Sequence, residues 1–324
     1  MAGGKAEQHS TFNSSAYGGP GWSPRTASHG EELGRLWGEC GIENEWAPLR
    51  AVLLHRPGPE LAVEDFNAAQ LLEKPDFARA LAQHDAMAAT YRGAGVAVHY
   101  VDPGPFSNER LASPNQIFCA DLFAMTPEGA ILARPASTVR AGEERWVARR
   151  LADLGVPILA TLTGHAVFEG ADLIWVDRRT ALIARGLRTN QAAIEQIGAL
   201  LARMGTTLIP VDLPFGTMHL MGLVRIFDGD LACAWPRRTP FAVVETLRAA
   251  GYRVAFLPEE ASPSQNVGFN CVTLGPKKIL MVANHPQTQD FLAGLGLDIT
   301  ALEADELAKA AGAIGCLSGI VARL

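Results

Sequence analysis

The chain has 324 residues, 48% of them hydrophobic and 19% charged, with a formal net charge of −6; that length buries one large core or two smaller ones. The acidic balance and the lack of any Lys/Arg run exclude nucleic acid as the natural partner, and no apolar run approaches the ~20 residues of a membrane span. Five scattered cysteines without a CxxC pair exclude a disulfide framework or a structural zinc site and point to a reducing, cytoplasmic setting.

Residues 1–30 are rich in Gly, Ser, Thr and Pro, hold few aliphatic side chains and contain no apolar stretch of the signal-peptide kind. The stretch EELGRLWGECGIENEW (31–46) adds a short helix or a docking segment. The expected organisation is a flexible tail over 1–45 and a single catalytic domain over 46–324.

From Trp46 onward one pattern recurs. LRAVLLHRP (49–57) is a strand, followed by a helix over 65–92 and the strand VAVHYVD (96–102). The second unit is a hairpin over 117–135 turning at Pro-Glu-Gly, then the helix GEERWVARRLADLG and the strand VPILA. The third has ADLIWVDRRTALIARG (171–186), the helix TNQAAIEQIGALLARMG and the strand TTLIPVD. The fourth has MHLMGLVRIFDGDLACAW (218–235) turning at Asp-Gly, then the helix PFAVVETLRAAG and the strand YRVAFLP. The fifth has NCVTLGPKKILMVAN (270–284), the helix PQTQDFLAGLG, the strand LDITAL, a helix ADELAKAAG and a last strand CLSGIVARL. Two β-rich runs around a Gly- or Pro-containing turn, then a helix closed by Gly, recur at ~45–55-residue spacing. The repeat predicts an α/β architecture of five ββαβ units, a five-bladed propeller with strands inside and helices outside. An ordinary mixed α+β domain is the alternative.

Polar side chains gather where the units begin. SPNQIFCAD carries Asn115 and Asp121, HAVFEGAD carries His165, Glu169 and Asp172, FGTMHLMG carries His219, QNVGFNCVTLG carries Asn266 and Asn270, and GAIGCLSG carries Cys316. In a propeller, first strands line the central channel, so these groups would converge on one cavity. A thiol is a nucleophile for an electrophilic carbon, an imidazole moves protons, and carboxylates hold a planar cation through forked hydrogen bonds. Each residue also has an ordinary reading. Cys316 alone is a small core residue, His219 a satisfied core histidine, and Asp172 a carboxylate tying down backbone N–H groups. A carboxylate such as Asp121 or Glu169 in an apolar strand is costly unless paired or functional. Arg140 and Arg188 stand at loop-to-helix junctions, where each is either exposed charge or a clamp for an amino-acid carboxylate.

FCAD, FEGAD, GLRTN, MHLM, NCVTLG and a terminal GCLS, in that order, resemble the guanidino-group-modifying enzymes of the pentein superfamily: arginine deiminases, amidinotransferases and dimethylarginine dimethylaminohydrolases. The resemblance runs from about Trp46 to the C-terminus. It implies the five-bladed pentein propeller and covalent catalysis, with Cys316 attacking the guanidinium carbon, His219 as general acid and base, and Asp121 and Glu169 holding the guanidinium. Arg140, Arg188, Asp172, Met221 and Asn270 are the remaining candidate substrate-binding residues. The branch most similar in motif is the dimethylarginine dimethylaminohydrolases. Deiminases and amidinotransferases carry an acidic residue two after the histidine, whereas Met221 stands here; RTNQ resembles the hydrolase segment; Ala120 departs from that branch, which tends to have an extra acid before the Asp. The implied reaction is hydrolysis of a guanidino C–N bond of an Nω-substituted arginine. Hydrolysis of arginine or agmatine, amidino transfer, and a binding protein without catalysis are the alternatives. The expected partner is a small guanidino compound; no metal-ligand spacing or phosphate loop implies a cofactor, and homo-oligomerisation is left open.

Overall fold

The computed structural model describes residues 11–101, 113–258 and 265–324; residues 1–10 of the expected tail and the side chain of Asn266 lie outside them. Fifteen strands form five three-stranded sheets. Leu49–Leu54 (β1) pairs in parallel with Ala97–Tyr100 (β2). The other four sheets share one plan, an antiparallel hairpin whose second strand takes a parallel third strand after a helical crossover. They comprise Phe123–Thr126, Gly129–Leu132 and Ile158–Thr161 (β3–β5), then Leu173–Asp177, Thr180–Arg185 and Thr207–Asp212 (β6–β8). Val224–Asp228, Leu231–Ala234 and Arg253–Phe256 (β9–β11) follow, and then Val272–Gly275, Lys278–Val282 and Asp298–Leu302 (β12–β14). The last strand, Gly319–Arg323 (β15), runs antiparallel to β1 and supplies the first sheet with its inner strand. The chain end therefore closes the ring on the chain start, as the repeat predicts.

Helices His29–Glu32 (α1), Phe77–Gly93 (α2), Glu144–Asp153 (α3), Gln191–Arg203 (α4), Phe241–Ala249 (α5), Gln265–Gly268 (α6), Pro286–Gly294 (α7), Asp305–Ala308 (α8) and Ile314–Leu317 (α9) complete the described elements. The five long ones are the crossovers. Each is followed by a glycine in the left-handed region, for example Gly155 at φ +72° and Gly205 at φ +75°, where a side chain would be strained. α2 starts twelve residues later than its apolar pattern suggests, because Pro75 breaks the pattern and Asp76 caps the helix by accepting from Arg79 N at 2.9 Å. Middle strands such as β4 are buried along their whole length, and third strands such as β5 are half-exposed at the outer edge. Among the described residues no helix is long and apolar enough to cross a membrane.

The ordered body begins before Trp46. Gly38 N donates to Gly155 O at 2.8 Å, Gly41 bridges to Ala322, and Cys40 and Ile42 are buried in the main core. The stretch from 38 to 45 is thus a docking segment beside β15, where its few apolar residues fall on one buried edge.

Candidate active site

The inner strands β3, β6, β9, β12 and β15 line the channel with mostly apolar residues. The predicted polar residues sit one turn ahead of these strands, correcting the expectation that they open the strands themselves. Asp121 ends the 3-10 turn Cys119–Asp121. Glu169 precedes the turn Gly170–Asp172, His219 precedes the turn Leu220–Gly222, and Cys316 lies within α9. A tight turn before each inner strand carries its side chain to the channel mouth, and the turns pack on one another. Gly170 permits this approach, since a Cβ there would collide with the carbonyl oxygens of Ala120 and Phe123.

Asp121, His219, Arg140, Arg188 and Cys316 line one small cavity of about 30 Å³ together with Gln70, Asn115, Phe118 and Met218. His219 Nε2 stands 2.7 Å from Glu169 Oε2, and its Nδ1 faces Asp121 Oδ1 at 3.8 Å. Glu169 also accepts from Arg188 Nη1 at 3.2 Å and from Ala136 N at 3.2 Å. Glu169 is fully buried and its oxygens are already met by His219, Arg188, Arg140 and Ala136 N, which leaves no free position on it for a guanidinium. Burial disfavours the carboxylate, but His219, Arg140 and Arg188 prevail and keep Glu169 well below the usual range. Burial likewise disfavours the imidazolium, yet Asp121 and Glu169 raise His219 to about 9. That direction favours the imidazolium.

Arg140 is only 3% exposed. It donates to Asp121 Oδ2 at 2.7 Å and to Glu143 Oε2 at 2.9 Å, with Glu169 Oε2 at 3.5 Å. Ringed by carboxylates, it is a structural counter-charge, which corrects its reading as a carboxylate clamp. Arg188 is less enclosed, with its side chain 14% exposed. Glu143, three residues after Arg140, was read only as part of a helix; its spacing at i,i+3 from an arginine is the signal that marks it.

Cys316 is the half-buried one of five free cysteines; Cys40, Cys119, Cys233 and Cys271 are buried. Asn270 Nδ2 donates to the Cys316 sulfur at 3.0 Å, while Asn270 Oδ1 accepts from Gly315 N at 2.7 Å and Cys316 N at 3.2 Å. Asn270 therefore holds the thiol turn and does not face the cavity. Burial and the charge of Asp121 push the Cys316 thiol up, partly countered by Asn270.

Two further expectations change. Asp172 is buried and accepts from Thr189 Oγ1 at 2.7 Å and Leu220 N at 3.1 Å, so it pins the turn after His219 instead of binding a ligand. Met221 lines the apolar channel on the other side of the turns, and it is Met218 that borders the thiol cavity. His165 contributes its carbonyl to Asn190 Nδ2 at 2.8 Å and its ring is exposed.

Asp121, Glu169 and His219 are the one group of three among the described residues with ligand atoms close enough to share a metal ion. The Arg140 guanidinium already lies on both carboxylates of that trio. A second cation there would be repelled, so the set does not fit a metal.

The family model for N,N-dimethylarginine dimethylhydrolase, eukaryotic, matches residues 62–212. An N(G),N(G)-dimethylarginine dimethylaminohydrolase of Streptomyces coelicolor is 29% identical over 277 residues, covering 84% of this chain and 96% of the relative. The solved dimethylarginine dimethylaminohydrolase of Pseudomonas aeruginosa, a mutant complexed with citrulline, superposes with a TM-score of 0.70 at 22% identity, covering 84% of this chain and 99% of that one. An amidinotransferase of the saxitoxin biosynthetic pathway from Microseira wollei superposes with a TM-score of 0.72 at 15% identity, covering 88% and 97%.

Proposed function

We propose that this chain, which is similar in sequence to dimethylarginine dimethylaminohydrolases and shares their fold, hydrolyses a guanidino C–N bond of an Nω-substituted arginine, releasing an amine and leaving citrulline or a related ureido product. The observation that carries this reading is Asp121 Oδ1. It is a buried carboxylate oxygen without a hydrogen-bond partner, in the same cavity as the Cys316 thiol and the His219 imidazole. An unpaired buried carboxylate oxygen is costly, and the N–H groups of a guanidinium satisfy it.

The residues divide the work as follows. Asp121 holds the guanidinium, and the incoming positive charge brings the thiol of Cys316 down so that its proton passes to solvent water. The thiolate attacks the guanidinium carbon, forming a C–S bond and a tetrahedral intermediate. His219, an imidazolium steadied by Glu169, gives its proton to the departing amine as the C–N bond breaks. The cationic thiouronium adduct remains on Cys316. His219, now neutral, takes a proton from water as the water oxygen attacks the same carbon. The C–S bond then breaks, the thiolate leaves, and loss of the remaining hydroxyl proton to solvent gives the ureido product. Arg188 is the arginine open to a substrate α-carboxylate, and Phe118 and Met218 give N-alkyl groups an apolar wall.

Incubation with dimethylarginine, arginine and agmatine, followed by mass analysis, tests this. Citrulline and dimethylamine from dimethylarginine are expected. A transferred amidino group in the presence of an acceptor amine would instead indicate a transferase, and no product from any guanidino compound would end the enzymatic reading.

A further inference from the structure

Behind the turn layer, the inner strands enclose a second cavity of about 90 Å³ that shares no lining residue with the thiol cavity. Its walls are mainly apolar, but Glu45, Arg225 and Arg323 open into it. Arg323 is 4% exposed; its Nη1 donates to Ala47 O at 3.0 Å and its Nε has no partner. Arg225 Nε and Nη2 are also buried without partners. Glu45 accepts from Trp175 N at 3.0 Å, and its charge acts on both arginines without a direct hydrogen bond to either. Burial pushes Glu45 up against the charges of Arg323 and Arg225, and burial brings Arg323 down to about 10 even though Glu45 partly supports its charge. Two like-charged guanidinium groups thus face one enclosed space with N–H donors unmet, an expensive arrangement that an anion would relieve.

We propose that this cavity binds a small monovalent oxyanion, a carboxylate or bicarbonate, between Arg225 and Arg323, and that the bound anion suppresses the reactivity of Cys316 across the turn layer. At ~10–15 Å³ of such space per water, the cavity of about 90 Å³ takes several waters or an ion of formate to acetate size. The coupling is geometric. A Cβ on Gly315 would stand 2.6 Å from Arg225 Nη2, so this guanidinium lies directly behind the residue that precedes Cys316. Its positive charge favours the thiolate, and an anion on Arg225 cancels that help. The anion is a negative effector that does not compete with a guanidino ligand.

The inference is independent of turnover, because its readout is alkylation of Cys316. The full chain in chloride-free buffer is treated with iodoacetamide while sodium formate replaces sodium gluconate at constant ionic strength. Saturable slowing of several-fold, with the pH midpoint of alkylation moved upward, is expected, and Arg323→Gln should remove the saturable component. Crystals of the wild type soaked in bromide should show an anomalous peak between Arg225 and Arg323, which keeps the test decisive if Arg323→Gln does not fold. Absence of that peak overturns the site. A peak without slowing, or slowing that persists in Arg323→Gln, overturns the coupling. Formate that blocks protection by a guanidino ligand places the anion at Arg188 and likewise refutes it.

Discussion

Glu169 Oε2 and His219 Nε2 meet at 2.7 Å, with both side chains buried. The contact joins residues 50 positions apart, and it sets the protonation of the acid that must serve the leaving amine. His219 is held up at about 9 by Asp121 and Glu169 against the cost of burial. Activity that needs the imidazolium should therefore fall as pH rises through about 9. Glu169→Gln removes one carboxylate from that pair. Its pH–rate profile should lose the alkaline limb at lower pH, with kcat reduced by roughly 10²-fold or more. An unmoved limb would show that Glu169 does not set the imidazole.

The same pair predicts a stability profile. A histidine raised in the folded state contributes stability that is complete below its unfolded value near ~6.5. That contribution is lost as pH climbs to the folded value of about 9. The melting temperature of the wild type should decline across this window, and that of His219→Gln should decline less. Parallel declines would contradict the raised imidazole.

Cys316→Ser should abolish turnover by about 10³-fold or more, since a hydroxyl is a far weaker nucleophile at its free pKa, while the melting temperature barely changes. Mass analysis of the wild type quenched during turnover should find a cationic adduct on the peptide carrying Cys316. Full turnover by the serine variant would exclude the thiol mechanism.

Asn270→Ala leaves the Gly315 and Cys316 amides and the thiol without their shared partner. A destabilisation of about 1–3 kcal/mol is expected, together with slower alkylation of Cys316 and lower kcat at similar KM. Denaturant melts combined with iodoacetamide kinetics check both. A change confined to KM would restore Asn270 as a ligand-binding residue.

Met218→Ala should alter the preference between alkylated and plain arginine, because Met218 borders the thiol cavity, whereas Met221→Ala should leave it within about twofold. The comparison of kcat/KM for dimethylarginine and arginine decides it. A selectivity change confined to Met221→Ala would reverse the assignment.

The periodic alternation of apolar hairpin, amphipathic helix and closing strand was enough to read the five-unit propeller, because each unit repeats the same local rules of turn chemistry and capping. The clustering of polar residues where the units begin pointed Asp121, Glu169, His219 and Cys316, among others, toward one cavity, and the family resemblance singled these four out. What the one-dimensional pattern could not carry is the direction of each side chain beyond a tight turn. His219 and Met221 are two residues apart, yet they line opposite sides of the turn layer. Arg140 and Arg188 hold matching places in successive units, but the first is enclosed by Asp121, Glu143 and Glu169 while the second stays partly open. Asp172 and Asn270 are polar groups at the right places in sequence, and only packing shows that their hydrogen bonds are spent on backbone and on the thiol turn. Charge pairing over distances of tens of residues is fixed by the closed ring, and neighbours in that ring are not neighbours in the chain.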